Sequence, residues 1–215
     1  MASGHTANQD STLQSDTSIC CPLSDTARKI ADTFQSMVMQ RGFNAVSYGD
    51  IAKELGIRTA SIHYHFPTKA ELGATVLTRY RDNFKNAWAD IDAGEPESYL
   101  RAYESFMAPI RPVRDMEGVS CLFGVLGATQ KTLCPNIQNI LSGFFVEQEI
   151  WLTKVFKGGQ KTGVFNFQGS ATSFAKLFAS ALQGAMLIKK STNNPEHFDT
   201  VIERLESMLF GSDHS

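Results

Sequence analysis

Between Ser24 and Val38 the apolar residues Ala27, Ile30, Ala31, Phe34, Met37 and Val38 recur in steps of three and one, which lays a single stripe along an α-helix. Ser24 can cap that helix and Arg41-Gly42 can end it. Phe43 follows as a plug for the same stripe. A shorter pattern begins at Ser47, a second capping residue, with Asp50 placed to favour the first turn. Ile51, Ala52 and Leu55 share one side, Gly56 stops the run, and Ile57 and Ile62 give the apolar side of a further short helix. Ala52 suits a steep helix crossing, and Gly56 suits a corner with positive φ. Pro67-Thr68 then precedes a long helix from about Lys69 to Asp90, with Thr68 and Glu71 spaced as a capping box.

The remainder is also helical in pattern, with no convincing strand pairs. Glu97 to Met107 reads as one helix, Pro109 and Pro112 break the pattern, and Cys121 to Gln130 is short and apolar. A long stripe runs from Ile137 through Phe144 and Trp151 to Phe156, and Gly158-Gly159 is expected to close it. Ser170 to Lys190 is apolar around most of its circumference, and Phe198 to Leu209 stripes a last helix. A helix apolar on nearly every side must be covered on two sides. The small residues Ala179, Ala181, Gly184 and Ala185 would let another helix approach closely.

The stretch Ser47 to Phe66, SYGDIAKELGIRTASIHYHF, therefore has the spacing of a helix-turn-helix, and HYHFPTKAEL follows from His63. Together with the preceding amphipathic segment ending RGFNAVS, it closely resembles the TetR family of one-component transcriptional regulators over about Thr26 to Tyr80. Beyond that region the resemblance rests on length, helix order and the phrases CLFGVLGA (Cys121 to Ala128) and LQGAM (Leu182 to Met186). It implies an all-α chain: a tail over 1–23, a DNA-binding head over 24–67, a connecting helix over 68–91, and a ligand-binding and dimerising body over 92–215. It further implies a homodimer through the last two helices and a double-stranded DNA operator as partner.

Composition narrows the alternatives. The 215-residue chain is 42% hydrophobic and 20% charged, as expected for a globular protein rather than a disordered one. The residues before Leu23 are polar, with neither the basic start nor the apolar core of a signal peptide, and no run of about 18 apolar residues stands out. A cytoplasmic protein with no membrane partner is the expectation. The net charge is −2, yet Ser24 to Ile91 holds nine Lys/Arg against seven Asp/Glu, while the chain beyond holds eleven against thirteen. The weak positive bias lies where DNA would be met.

A recognition helix presents its N-terminal residues to base edges in the major groove. Arg58, Thr59 and Ser61 are the candidate readers: Arg58 can take guanine O6 and N7 together, and Thr59 can meet a thymine methyl. His63 and Tyr64 follow on the same short helix. The resemblance assigns Tyr64 and Lys69 to the sugar-phosphate backbone or nearby bases, and Ser47 and Tyr48 to phosphate. His65, beside Phe66, reads as satisfying a carbonyl in the head. His63 and His65 lie about 200° apart around a helix axis, so no metal site is expected there, and no cofactor elsewhere.

In the body, Tyr103, Phe106, Phe123, Phe144, Trp151 and Phe178 offer aromatic surface for a small-molecule effector, and Gln148 interrupts an apolar face. Cys121 and Cys134 are possible redox residues, although Cys121 reads first as a small buried hydrophobe. No phosphate-binding glycine loop, acid/base pair or activated nucleophile points to an enzyme. The expected function is a repressor released from a palindromic operator by an effector. A thiol-sensing repressor and a DNA-bound adaptor that recruits a protein remain alternatives.

Overall fold

Helix starts coincide with the capping residues in the computed structural model, which describes residues 23–88, 91 and 94–211. The tail read over 1–23, with Cys20 and Cys21, lies outside the described residues except for Leu23. Helix α1 (Asp25–Arg41) begins where Ser24 Oγ accepts the Ala27 N–H, and its predicted stripe is buried. Helix α2 (Tyr48–Leu55) is capped by Ser47, whose hydroxyl takes the Asp50 N–H while the Asp50 carboxylate takes the Ser47 N–H. Gly56 ends it at φ 64° and ψ 30°, in the left-handed region that glycine enters without a Cβ clash. Helix α3 (Thr59–His65) follows at once, and α4 (Lys69–Ala87) opens on the Thr68–Glu71 capping box. Ile30, Ile51, Ile62, Leu72 and Val76 meet in the core of this region, each fully buried.

The body consists of α5 (Pro96–Met107), the short α6 (Leu122–Gly127), α7 (Pro135–Thr162), α8 (Ala171–Thr192) and α9 (Pro195–Phe210). Two 3-10 turns, Arg111–Asp115 and Gln130–Thr132, lie on either side of α6. Helix α7 packs against α4, α5 and α8, and α8 packs in turn against α9. No strand occurs among the described residues.

Two sequence expectations need correction. Gly158-Gly159 does not close α7, which continues to Thr162 and ends at Gly163 in the left-handed region. These glycines sit inside the helix because aromatic rings lie against them. A Cβ on Gly158 would fall 2.1 Å from the Tyr99 ring, and one on Gly159 would fall 2.1 Å from the Phe165 ring. The second correction concerns α8, which is long and apolar enough to cross a membrane by length and composition alone. Its mean hydropathy is high because one face is buried in the core while Leu177, Leu187 and Ile188 remain exposed on the other.

The head is joined to the body by more than the α4 rod. Arg79 of α4 forms an ion pair with Asp32 of α1 at 2.6 Å and donates to Gln35. Asn44 donates to Thr132 at 2.9 Å, and Lys190 of α8 donates to the Met39 carbonyl near the end of α1 at 2.7 Å. Phe43, the expected plug, fits over Gly73 of α4, where a Cβ would lie 2.7 Å from its ring and 2.8 Å from Ile137 of α7.

Candidate nucleic-acid interface

Helix α3 is held at a fixed angle by α2. Ile62 and Phe66 point inward and are buried, and the Tyr48 hydroxyl, from the first turn of α2, donates to the Phe66 carbonyl at 2.8 Å. The Tyr48 ring meets His63 edge to face at 4.7 Å, and His63 Nδ1 lies 3.2 Å from the Pro67 carbonyl. Burial, with the nearby Glu71 charge, pushes the Tyr48 hydroxyl up to about 12, so it stays a donor at neutral pH. Tyr48 thus acts as a strut between the two helices, and its hydroxyl is already committed. His63, rather than His65, reaches the backbone carbonyl; the His65 ring packs on Tyr64 at 5.1 Å.

The outward face of α3 carries Thr59, Ala60, His63 and Tyr64, with Arg58 at its N-cap. Tyr64 is 83% exposed, an unusual position for an aromatic ring with no solvent-side role. Ser61 is half-buried on the flank of this face. Ala60 belongs to the face and was missed from sequence because alanine carries no chemistry; its spacing of four from Tyr64 was the available signal.

Basic and polar groups border this face. Ser47 is exposed at the start of α2, but its hydroxyl is shared with Asp50. Hydrogen bonds from the Ser47 hydroxyl and N–H hold the Asp50 carboxyl below the usual carboxylate range. Lys69 is half-buried, its ammonium 4.7 Å above the Phe43 ring, and burial lowers its pKa from the ordinary lysine value. A lysine stem lying along an aromatic ring keeps its head at the surface, in a defined place.

The expected effector residues fill the interior of the body. Phe123 stacks on Phe144 at 3.9 Å, Trp151 stacks on Phe106 at 5.8 Å and on Trp88 at 5.3 Å, and Phe178 meets Phe106 and Tyr103. The Tyr103 hydroxyl donates to Glu206 at 2.7 Å, and burial together with that carboxylate raises its pKa far above the ordinary tyrosine value. Gln148 is 5% exposed. The rings touch one another and do not surround an open pocket. The larger depressions lie on the surface instead, one of about 860 Å³ between α1, α4 and α7, another of about 760 Å³ beside α5 and α9.

Cys121 is buried at the start of α6, and Cys134 is half-buried at the start of α7. The polar neighbours of Cys121 are the Tyr80 hydroxyl of α4 and the Gln183 amide of α8, the latter at 3.5 Å. Neither is a cation of the kind that promotes a thiolate. Among the described residues, no group of three His, Cys, Asp or Glu is gathered as a metal site would require.

Residues 36–75, spanning the end of α1 through α3 into α4, match the family model described as bacterial regulatory proteins, tetR family. No curated protein matches the chain significantly. Solved structures do. A TetR-family regulator from Agrobacterium tumefaciens is 26% identical over 85% of this chain and 97% of its own, with a TM-score of 0.72. A TetR regulator from Legionella pneumophila is 24% identical over 88% of this chain and 100% of its own, with a TM-score of 0.70. The reduced form of NemR from E. coli shares the fold at 18% identity and a TM-score of 0.67, over 86% of this chain and 97% of its own. The head thus matches the model of the tetR family of bacterial regulatory proteins, and the described helices share the fold of solved TetR-family transcriptional regulators over most of the chain.

Proposed function

We propose that this chain is a homodimeric repressor that acts in the cytoplasm, binds a palindromic operator and leaves it when a small molecule enters the helical body. The observation that carries the reading is the solvent-facing surface of α3. Arg58, Thr59, Ala60, His63 and Tyr64 stand exposed on a helix whose opposite side is locked by Ile62, Phe66 and the Tyr48 strut. A seven-residue helix stable only through its packing, with its free side toward solvent, is suited to enter a major groove. Arg58 and Thr59 then read bases, Tyr64 and Lys69 hold backbone, and Ser47 and Tyr48 at the start of α2 approach phosphate. Footprinting on DNA flanking the gene, at a stated salt concentration, tests this directly. A symmetric protected site is expected, and weak binding without sequence preference would sink the reading. Lys69→Ala should weaken all DNA sequences alike and reduce the slope of log affinity against log salt by about one.

The dimer is supported by the outer side of α8. Leu177, Leu187 and Ile188 are exposed there, and the half-buried Ala181 and Gly184 between them leave room for a second helix. Ile188→Glu should shift the chain to a monomer in sedimentation and abolish tight binding to a palindrome, because each copy would place a carboxylate in the joint. A variant that stays dimeric would move the interface elsewhere.

A further inference from the structure

The last turn of α8 carries two adjacent lysines that reach different parts of the molecule, as neighbours about 100° apart around a helix axis can. Lys189 is 2% exposed, and its ammonium donates to the Val113 carbonyl at 2.7 Å and to the Met116 carbonyl, which ties α8 to the Arg111–Asp115 turn of the body. Lys190 turns the other way and donates to the Met39 carbonyl of α1 at 2.7 Å, across 151 positions of chain. That carbonyl needs an outside donor. The chain leaves α1 at Gly42, φ 85°, whose N–H takes the Val38 carbonyl at 2.8 Å, so no amide of α1 remains for Met39. The negative end of the α1 dipole adds attraction for an ammonium. Lys190 is half-buried, and burial lowers its pKa from the ordinary lysine value. Among the described residues the lysine ion pairs are those of Lys85 and Lys176, so Lys190 has no carboxylate of its own. The helix end that it caps is what compensates the sheltered charge.

Met39 lies just before the corner between α1 and α2, where the head meets the body. Asn44, on the far side of that corner, donates to Thr132, and Phe43 between them lies over Gly73. Helix α1 packs on both α2 and α3, so whatever holds α1 orients α3. Lys190 belongs to the helix read above as the dimer joint, two residues beyond Ile188. Resting on that dimeric, DNA-binding reading, we propose that Lys190 is a positioning residue for the operator: by fixing α1 to the dimer helix of its own subunit, it sets the separation of the two recognition helices. Moving a half-site by one base pair shifts it about 3.4 Å along the duplex and turns it about 35°. A hydrogen bond of 2.7 Å is lost when it lengthens by about 1 Å. Latched heads therefore accept one spacing, and unlatched heads accept several.

The operator defined by footprinting, the same operator with one base pair added or removed at its centre, and a single half-site test this role on the wild type, Lys190→Met and Lys190→Arg. Methionine keeps an apolar stem and removes the ammonium, whereas arginine keeps a donor. The wild type is expected to bind the altered spacings at least about tenfold more weakly than the operator, Lys190→Met to bind all three within about threefold of one another, and Lys190→Arg to recover most of the preference. The half-site should bind all three proteins alike, since α3 itself is untouched. A wild type indifferent to spacing, a Lys190→Met protein that keeps the wild-type preference, or one that loses the half-site as much as the operator would overturn the proposal. Hydrogen exchange without DNA gives an independent readout: the Gly42 amide should exchange about tenfold faster in Lys190→Met and near the wild-type rate in Lys190→Arg. Unchanged exchange in Lys190→Met overturns the latch whatever the DNA result. Absence of any operator binding by the wild type overturns the repressor reading instead, and Gly42 exchange then decides separately whether Lys190 fixes the head.

Discussion

Arg58→Ala is expected to weaken binding to a symmetric operator by about 2–6 kcal/mol, because the change occurs once in each half-site and a good bidentate base contact is worth about 1–3 kcal/mol. The loss should be selective. Arg58 is the N-cap of α3 and makes no side-chain capping bond there, so its removal leaves the helix-turn-helix intact and Tm essentially unchanged. Operator preference at one symmetric pair of positions should relax, whereas nonspecific binding should fall only by the lost charge. A titration of the variant against the operator and a scrambled duplex, at matched salt, measures both. Equal losses on the two duplexes would reassign Arg58 to the phosphate backbone.

Phe144→Ala should cost about 3–5 kcal/mol and lower Tm by roughly 10 °C. Phe144 is 1% exposed and lies at the centre of the aromatic cluster: stacked on Phe123, edge-on to Phe84 and Phe145, and close to Trp88. These partners belong to α4, α6 and α7, so a cavity there cannot close by the movement of one helix alone. Denaturant unfolding with an unchanged m-value should show the shift in midpoint. A loss below about 1 kcal/mol would mean that the rings repack and that the interior is looser than described. Because α4 contributes Phe84, and its C-cap Trp88, to this cluster, the same variant loosens the seat of the connecting helix and should weaken operator binding at temperatures well below its Tm.

The head was legible because its signals are local and mutually consistent. Ser47 and Asp50, Gly56, and Thr68 and Glu71 each act within one turn of the chain, and each forms the cap or corner that its residue type favours. On the exposed side of α3, Arg58, Thr59, His63 and Tyr64 were read from the sequence and its resemblance, whereas Ala60 was missed and Ser61, read as a base reader, lies half-buried on the flank. The Tyr48 strut was not legible. Its hydroxyl reaches a carbonyl 18 residues away, and nothing in the local spacing separates that role from a phosphate contact. The expectation that His65 meets a carbonyl missed for the same reason: the ring that does so is His63, which depends on where Pro67 turns the chain.

In the body, sequence alone determined the apolar stripes, the aromatic content and the order of helices, because amphipathic periodicity needs no knowledge of partners. Tertiary structure decided what those residues do. Gly158 and Gly159 end a helix by local rules, yet they continue α7 because Tyr99 and Phe165 occupy the space their side chains would take. The aromatics that promised a pocket fill it with one another, since close packing of rings lowers the free energy more than an open cavity would. A polar cleft of Tyr80, Cys121, Gln148 and Gln183 draws on four helices separated by up to 103 positions in the chain. Such a site exists only once long-range packing has brought Gln183 beside Gln148, which the sequence placed on an apolar face.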